Sequence, residues 1–172
     1  ETRSAQLYRR ILEKVRETPG VSGVTISSSR PLSGYMSSGR VRLAGRTNPA
    51  SAYFQWVAPA FPAVMQLPLV AGRAIEARDM SGPPVAMVNE TFVRRYIKQG
   101  LPLGRRFRWD RDDSEEVEIV AVVKDAKYDH MRGEIPATIY APYTQNAWGW
   151  PSQMTVEART SGDAATAVAS IR

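Results

Sequence analysis

The 172-residue chain has no cysteine and a single histidine, His130. The first absence excludes disulfides and thiolate metal sites. The second excludes a His-based metal cluster and any triad that needs a second histidine. No apolar run approaches the roughly 20 residues of a membrane-spanning helix. Equally missing are a Gly-x4-Gly-Lys-Ser/Thr loop, a Gly-x-Gly-x-x-Gly turn after a strand and a Gly-x-Ser-x-Gly elbow. Without them the chain has no recognisable means of cradling nucleotide phosphates or activating a serine. A basic block is lacking too: the net charge of +6 arises from 23 Lys and Arg interleaved with 17 Asp and Glu. No homeodomain, zinc-finger or RNA-recognition signature accompanies that charge, so nucleic acid is not expected as a partner.

What is present is ordinary globular material, with 43% hydrophobic residues and 23% charged ones. The length allows one domain or two small ones with a self-sufficient core. Twelve Gly and twelve Pro lie at the ends of apolar segments, which predicts many short elements joined by turns and a strand-rich α+β chain. Its centre is the run Ile119-Val120-Ala121-Val122-Val123, too β-branched for a good helix and apolar enough for a strand buried on both faces. The run ends abruptly in Lys124, Asp125, Lys127 and Asp129, either a site or a solvated strand exit.

Taken in order, residues 4 to 18 place Leu7, Tyr8, Ile11, Leu12 and Val15 at helical spacing, with Ser4 as a cap and Thr18-Pro19-Gly20 as a stop. Residues 21 to 27 alternate as a strand. A Ser/Gly-rich loop over 27 to 39 precedes a hairpin of strands at 40 to 43 and 52 to 57. Pro59 opens a short helix containing Phe61, Val64 and Met65, residues 69 to 75 are extended, and 79 to 84 turn. Strand 85 to 88 then runs into a helix capped by Asn89 and packed through Phe92, Val93, Tyr96 and Ile97. Strand 105 to 109, a charged hairpin loop at 110 to 116 and the central strand follow. Thr138 to Tyr143 form another strand, in which Pro142 marks an edge or an end. Beyond the loop 145 to 151 come a strand with Met154, Val156 and Ala158 alternating and a last helix, capped by Asp163, with Ala164, Ala167, Val168 and Ile171.

Candidate chemistry is thin. Asp110, Asp112, Ser114 and Glu116 alternate like the start of a calcium loop, but Glu115 stands where that loop needs glycine and Ala121 where it needs glutamate. Asp125 with Asp129, or His130, would suit a hydrolase only if buried together. Arg105, Arg106, Arg108 and Arg111 share one hairpin that could face anionic headgroups, although strand alternation splits them between two faces. No catalytic, cofactor-binding or metal-binding residue is assigned. Tyr35 and Met36 in the first loop, and Trp148 and Trp150 in the late one, put large apolar groups where water is expected. They form either a partner surface or a cover for the core, and the late pair would suit a soluble carbohydrate- or peptide-binding module.

Several segments carry a family likeness: Tyr8-Arg9-Arg10-Ile11-Leu12 with Thr18-Pro19-Gly20-Val21, Leu69-Val70-Ala71-Gly72-Arg73, Val88-Asn89-Glu90-Thr91-Phe92, Pro102-Leu103-Gly104-Arg105-Arg106, Ile119-Val120-Ala121-Val122-Val123-Lys124-Asp125 and Ile139-Tyr140-Ala141-Pro142. In this order they resemble the extracytoplasmic core domain of MacB-type, FtsX-like ABC transporter permeases, most closely the duplicated group of soil bacteria. Ala121 departs from the family's usual glycine. The resemblance implies a discontinuous porter-like α/β subdomain from residues 1–80 and 150–172, truncated beside the membrane helices, with an inserted β-rich subdomain at 84–147. It further implies a noncatalytic periplasmic segment of an inner-membrane protein. That segment would couple motion from a cytoplasmic ATP-binding domain or subunit to an unidentified substrate or periplasmic partner, in a permease that dimerises. Neither a cofactor nor a metal is implied.

Overall fold

The computed structural model describes residues 3–111, 113–127, 133–145, 153–162, 165 and 167. Helix α1 (Arg3–Arg16) opens the chain, with Lys14 and Arg16 in its last turn, where cations complement the helix dipole. Its packing stripe is Ala5, Tyr8, Leu12 and Val15, a 3-4-3 spacing that keeps one face inward. Leu7 lies about 100° of helix rotation from Tyr8 and is 54% exposed, so it does not belong to the face expected for it. Ser4 sits inside the helix and does not precede it. Gly20, at φ 83°, ends the turn that follows.

Strand β1 (Val21–Ser27) pairs antiparallel with the late strand β9 (Thr155–Thr160), Val21 opposite Thr160 and Ser27 opposite Thr155. On one face of β1, Val24 and Ile26 are buried. On the other, a Cβ at Gly23 would lie 3.1 Å from Val64 Cγ2 of α2 (Phe61–Val64), so the small residue lets the short helix sit close.

The expected hairpin is β2 (Ser37–Leu43) and β3 (Ala50–Val57), with Val41 opposite Ala50. Then follow β4 (Leu69–Gly72), a 3-10 turn at Ala77–Met80, β5 (Val85–Asn89), α3 (Glu90–Tyr96), β6 (Arg106–Trp109), β7 (Glu116–Val123) and β8 (Thr138–Pro142). Their order in the sheet is β2-β6-β7-β5-β8-β3-β1-β9, and β2 bonds β3 as well. That extra pairing closes β2, β6, β7, β5, β8 and β3 into a ring of six strands.

Alternation then sends Val41, Leu43, Ala52, Phe54, Trp56, Ala86, Val88, Phe107, Trp109, Val117, Ile119, Ile139 and Ala141 into one core, as a small barrel filled by side chains requires. Edge-to-face rings occupy it, with Phe54 and Phe107 standing 4.8 and 5.4 Å from Trp109 between centroids. A second core of Met36, Val57, Phe61, Leu67, Ile75, Met87, Ala121, Val123 and Tyr140 lies under α2 and the segment leading to Ile75.

The run at 119–123 is the shared wall: Ile119 and Val122 belong to the first core, Ala121 and Val123 to the second, and Val120 is half-buried. A register shift at Ala86/Met87 in its pairing with β5 lets it serve both. Its last residues pair with β4, where Gly72 (φ 81°) is obligatory because a Cβ would stand 2.1 Å from Val120 O. Strand β8 is flanked on both sides, by β3 and β5, and Pro142 is its last residue. The hydrogen bonding runs across the expected division of the chain, since β2 and β3 of the first part complete the ring with β5 to β8 of the inserted part.

Candidate functional site

The charged exit of β7 meets the start of α3. Lys124 Nζ donates to Glu90 Oε1 at 2.9 Å, and the Asp125 N–H donates to Glu90 Oε2 at 3.3 Å. In return Asp125 accepts from the Thr91 N–H and from Thr91 Oγ1, both at 2.8 Å, and Arg94 approaches its Oδ2 at 3.6 Å. Asn89 completes the joint. Its Oδ1 accepts from the Phe92 and Thr138 N–H groups at 2.9 Å, and its Nδ2 donates to Pro136 O at 2.9 Å. One side chain thus caps α3 and ties it to β8.

The Lys124 hydrogen bond, and then the Asp125 N–H, hold the Glu90 carboxyl below its usual range. A carboxylate kept ionised and already bonded, as Glu90 is, acts as a brace and not as a proton-transfer group at neutral pH. Asp129 and His130 lie outside the described residues.

The charged turn after β6 is a brace of the same kind. Asp110, whose side chain is 7% exposed, accepts from Arg42 Nε at 2.5 Å and forms an ion pair with Arg40, whose Nε stands 2.9 Å from Oδ2. Ser114 Oγ donates to Trp109 O at 2.7 Å. Among the described residues no group of three or more His, Asp or Glu side chains is arranged to hold a metal.

The arginine hairpin is not a cationic patch. Arg106 meets Glu116 at 3.4 Å and Glu118 at 3.8 Å, Arg108 meets Glu116 at 3.2 Å, and Arg105 donates to the Leu101 and Gln99 carbonyls. Arg108 and then Arg106 hold the Glu116 carboxyl below its usual range. Alternating signs on an exposed sheet face suit solubility more than headgroup binding.

The candidate partner surface divides. Tyr35 is 70% exposed, whereas Met36 is 7% exposed and packs into the second core, so that methionine covers core and does not face a partner. Adjacent residues at the entry to β2 point to opposite sides, which separates the pair. Trp148 and Trp150 lie outside the described residues.

Two clefts remain. One, of 720 Å³, runs between α1 (Ala5, Arg9, Leu12, Arg16) and Met80 with Tyr143. The other, of 510 Å³, lies over Trp109 beside Gln145.

Sequence reasoning missed a forked ion pair. Arg73 Nη1 and Nη2 fork onto Asp79 at 2.6 and 2.8 Å, and Asp79 Oδ2 also accepts the Glu76 N–H at 2.8 Å. Its only signal is an arginine after Gly72 with an aspartate six residues on, a spacing shared by many loops. Chemically the described residues offer a scaffold knotted at its strand ends.

A search of curated proteins finds no match to this chain. Among solved structures, the periplasmic region of MacB from Actinobacillus actinomycetemcomitans superposes with a TM-score of 0.70 at 17% identity, covering 95% of this chain and 70% of that one. The extracellular domain of the noncanonic ABC-type transporter YknZ from Gram-positive bacteria gives 0.65 at 16% identity, covering 94% of this chain and 76% of that one. At such identities the superpositions speak for the fold, and it is the α+β fold expected. The description of one protein family, the MacB-like periplasmic core domain, matches residues 2–172. The chain belongs to the MacB-like periplasmic core domain family of ABC transporter permeases.

Proposed function

We propose that this domain is a noncatalytic, load-carrying element of an ABC permease, coupling ATP-driven motion to the handling or export of a substrate outside the inner membrane. The observation that carries this reading is the pairing of the first and last described strands. Val21 stands opposite Thr160, and the Ser161 N–H donates to Gly20 O at 2.9 Å. A load arriving through either strand is therefore shared with the other at once, and a segment that leaves and re-enters a membrane needs its two ends side by side.

From β1 the load passes to the ring by two routes: the Ser27–Val57 pairing, supported by the Ser28 N–H on Trp56 O at 2.9 Å, and α2 packed on Gly23. The ring is stiff because its strands close on themselves and its loops are tied by Asn89, Asp125 and Asp110. In this reading the partners are a cytoplasmic ATP-binding domain or subunit, a second permease copy and a periplasmic partner or substrate.

The side on which the domain lies is read by placing a cysteine at the exposed Tyr35 in an otherwise cysteine-free full-length transporter. A membrane-impermeant maleimide applied to the outer side of the inner membrane is expected to label it in sealed spheroplasts. Labelling that appears only after the membrane is opened contradicts the reading.

A further inference from the structure

Glu157, on β9, stands apart from the paired carboxylates. Its Oε1 lies 2.5 Å from Ser27 Oγ, while its Oε2 is sealed from solvent and has no hydrogen-bond partner. Directly opposite it in the β1–β9 register is Thr25, 0% exposed, whose hydroxyl oxygen is also unpartnered. An ionised carboxylate there would keep half its charge on an oxygen with neither water nor a donor, the costliest arrangement for a buried group.

Proton counting points the same way. Ser27 Oγ is within hydrogen-bond reach of two acceptors, Glu157 Oε1 and the Ser29 carbonyl at 3.0 Å, yet its hydroxyl has one proton to give. A proton on the carboxyl supplies the second.

Among the described residues no countercharge is in contact with the carboxyl. From β1 come Thr25 and Ser27, and from the end of α2 Val64 and Met65. Arg30 and Pro31 line the adjoining surface depression together with Glu157. Gln55 of β3 reaches the same corner through Ser28 Oγ at 3.1 Å and Ser29 O at 3.2 Å. On β9 itself Arg159 turns its guanidinium to Val64 O, with Nη2 at 2.7 Å and Nε at 3.2 Å. Arg30 and Arg159 are thus the ionisable neighbours among the described residues at this corner, and neither forms an ion pair with Glu157 there.

We propose that Glu157, Ser27 and Ser29 form a buried proton site: the carboxyl donates from Oε1 to Ser27 Oγ, Ser27 donates to the Ser29 carbonyl, and loss of the carboxyl proton to water loosens β9 from β1. Burial pushes the carboxyl up to about 7, against the opposing pull of the Ser27 hydroxyl and of a backbone hydrogen bond. The folded value lies above the ordinary 4.5, so the folded chain binds more protons than the unfolded one between the two. The contribution to stability is therefore complete below about 4.5 and is lost as pH rises toward 7. The proton site is a property of the folded chain and does not depend on the transport role.

The test is a titration of the side-chain carboxyl carbons of the ¹³C-glutamate-labelled chain, with Glu157 assigned through bonds, paired with urea unfolding at pH 5 and pH 8. The expected midpoint for Glu157 is near 7. The wild-type urea midpoint is expected to fall from pH 5 to pH 8. In Glu157→Gln the fall shrinks, because an amide nitrogen donates to Ser27 Oγ at either pH. A Glu157 carboxyl titrating near the ordinary 4.5 overturns the proposal. An equal fall in wild type and Glu157→Gln does the same. Should the variant not fold, the titration of the native chain decides alone.

Discussion

Among the described residues, Asp79 and Arg73 make the closest contact between side chains that hold opposite formal charges and are both partly withdrawn from water. The Asp79 side chain is 7% exposed and Arg73 35%. Removing the arginine leaves a carboxylate with its desolvation uncompensated. Arg73→Ala is therefore expected to cost about 2 kcal/mol in urea unfolding, less than a fully buried pair because one partner still sees solvent. The Arg73 fork, and after it the Glu76 N–H and the nearby guanidinium of Arg78, hold the Asp79 carboxyl below its ordinary 3.8. A depressed value contributes stability that is present above 3.8 and lost as pH falls below it. Asp79→Asn is expected to be less stable than wild type at pH 7 and to lose less on acidification below pH 4, as read by the urea midpoint across pH. Asp79 had only a weak signal in the sequence, its six-residue spacing from Arg73, because the pairing is fixed by a loop geometry that composition does not encode. Tyr35 was legible as an exposed aromatic; Met36, its neighbour, was not separable from it until the start of β2 fixed which side each takes.

Among the elements, the ones bounded by strong local chemistry were readable. Asn89 predicts its own cap, the stop at Gly20 ends α1, β-branched residues mark β1 and β7, and alternation of arginine with aromatic rings marks β6. Where periodicity has two solutions the sequence is less informative: Leu7 fits an apolar stripe as well as Ala5 does, and only the position of β1 decides between them. The exit of β7 shows the same limit. Lys124 and Asp125 look like a site or a solvated turn; in the structure both bond to α3, about thirty residues earlier in the chain, through Glu90 and Thr91, while the Lys124 side chain stays exposed. The joint is expected to be cooperative. Asn89→Ala removes a cap and two further hydrogen bonds and is expected to cost about 2 kcal/mol, with Asp125→Ala costing about 1–2 kcal/mol. The double variant should cost less than the sum by more than about 0.5 kcal/mol, since both residues hold one helix start. Strict additivity in urea unfolding would show that the two act separately.

At the scale of the whole molecule, the closed ring is what sequence could not supply. Each strand was recognisable alone, and the β2–β3 hairpin was too. Closure depends on β2 finding β6 and β3 finding β8, pairings between residues about 65 and 85 positions apart that carry no local mark. The family resemblance supplied the fold class and the transporter assignment, both carried by the ordered motifs and not by any one residue. A stiff ring with an appended β1–β9 pair predicts a gradient of local stability. Amide exchange is expected to be slowest in β5, β7 and β8, which have strands on both sides, and fastest in β4 and β9, which do not. Uniform protection across β7 and β9 would contradict that mechanical division.

The central claim is that the domain moves with the ATP cycle of its transporter. It is tested most directly by pulsed electron-spin distance measurement in the full-length, otherwise cysteine-free protein, with one label at Tyr35→Cys and one on the cytoplasmic ATP-binding component. A distance distribution that shifts between the nucleotide-free and ATP-bound transporter is the result expected. Identical distributions in the two states, with ATP binding verified, would contradict it.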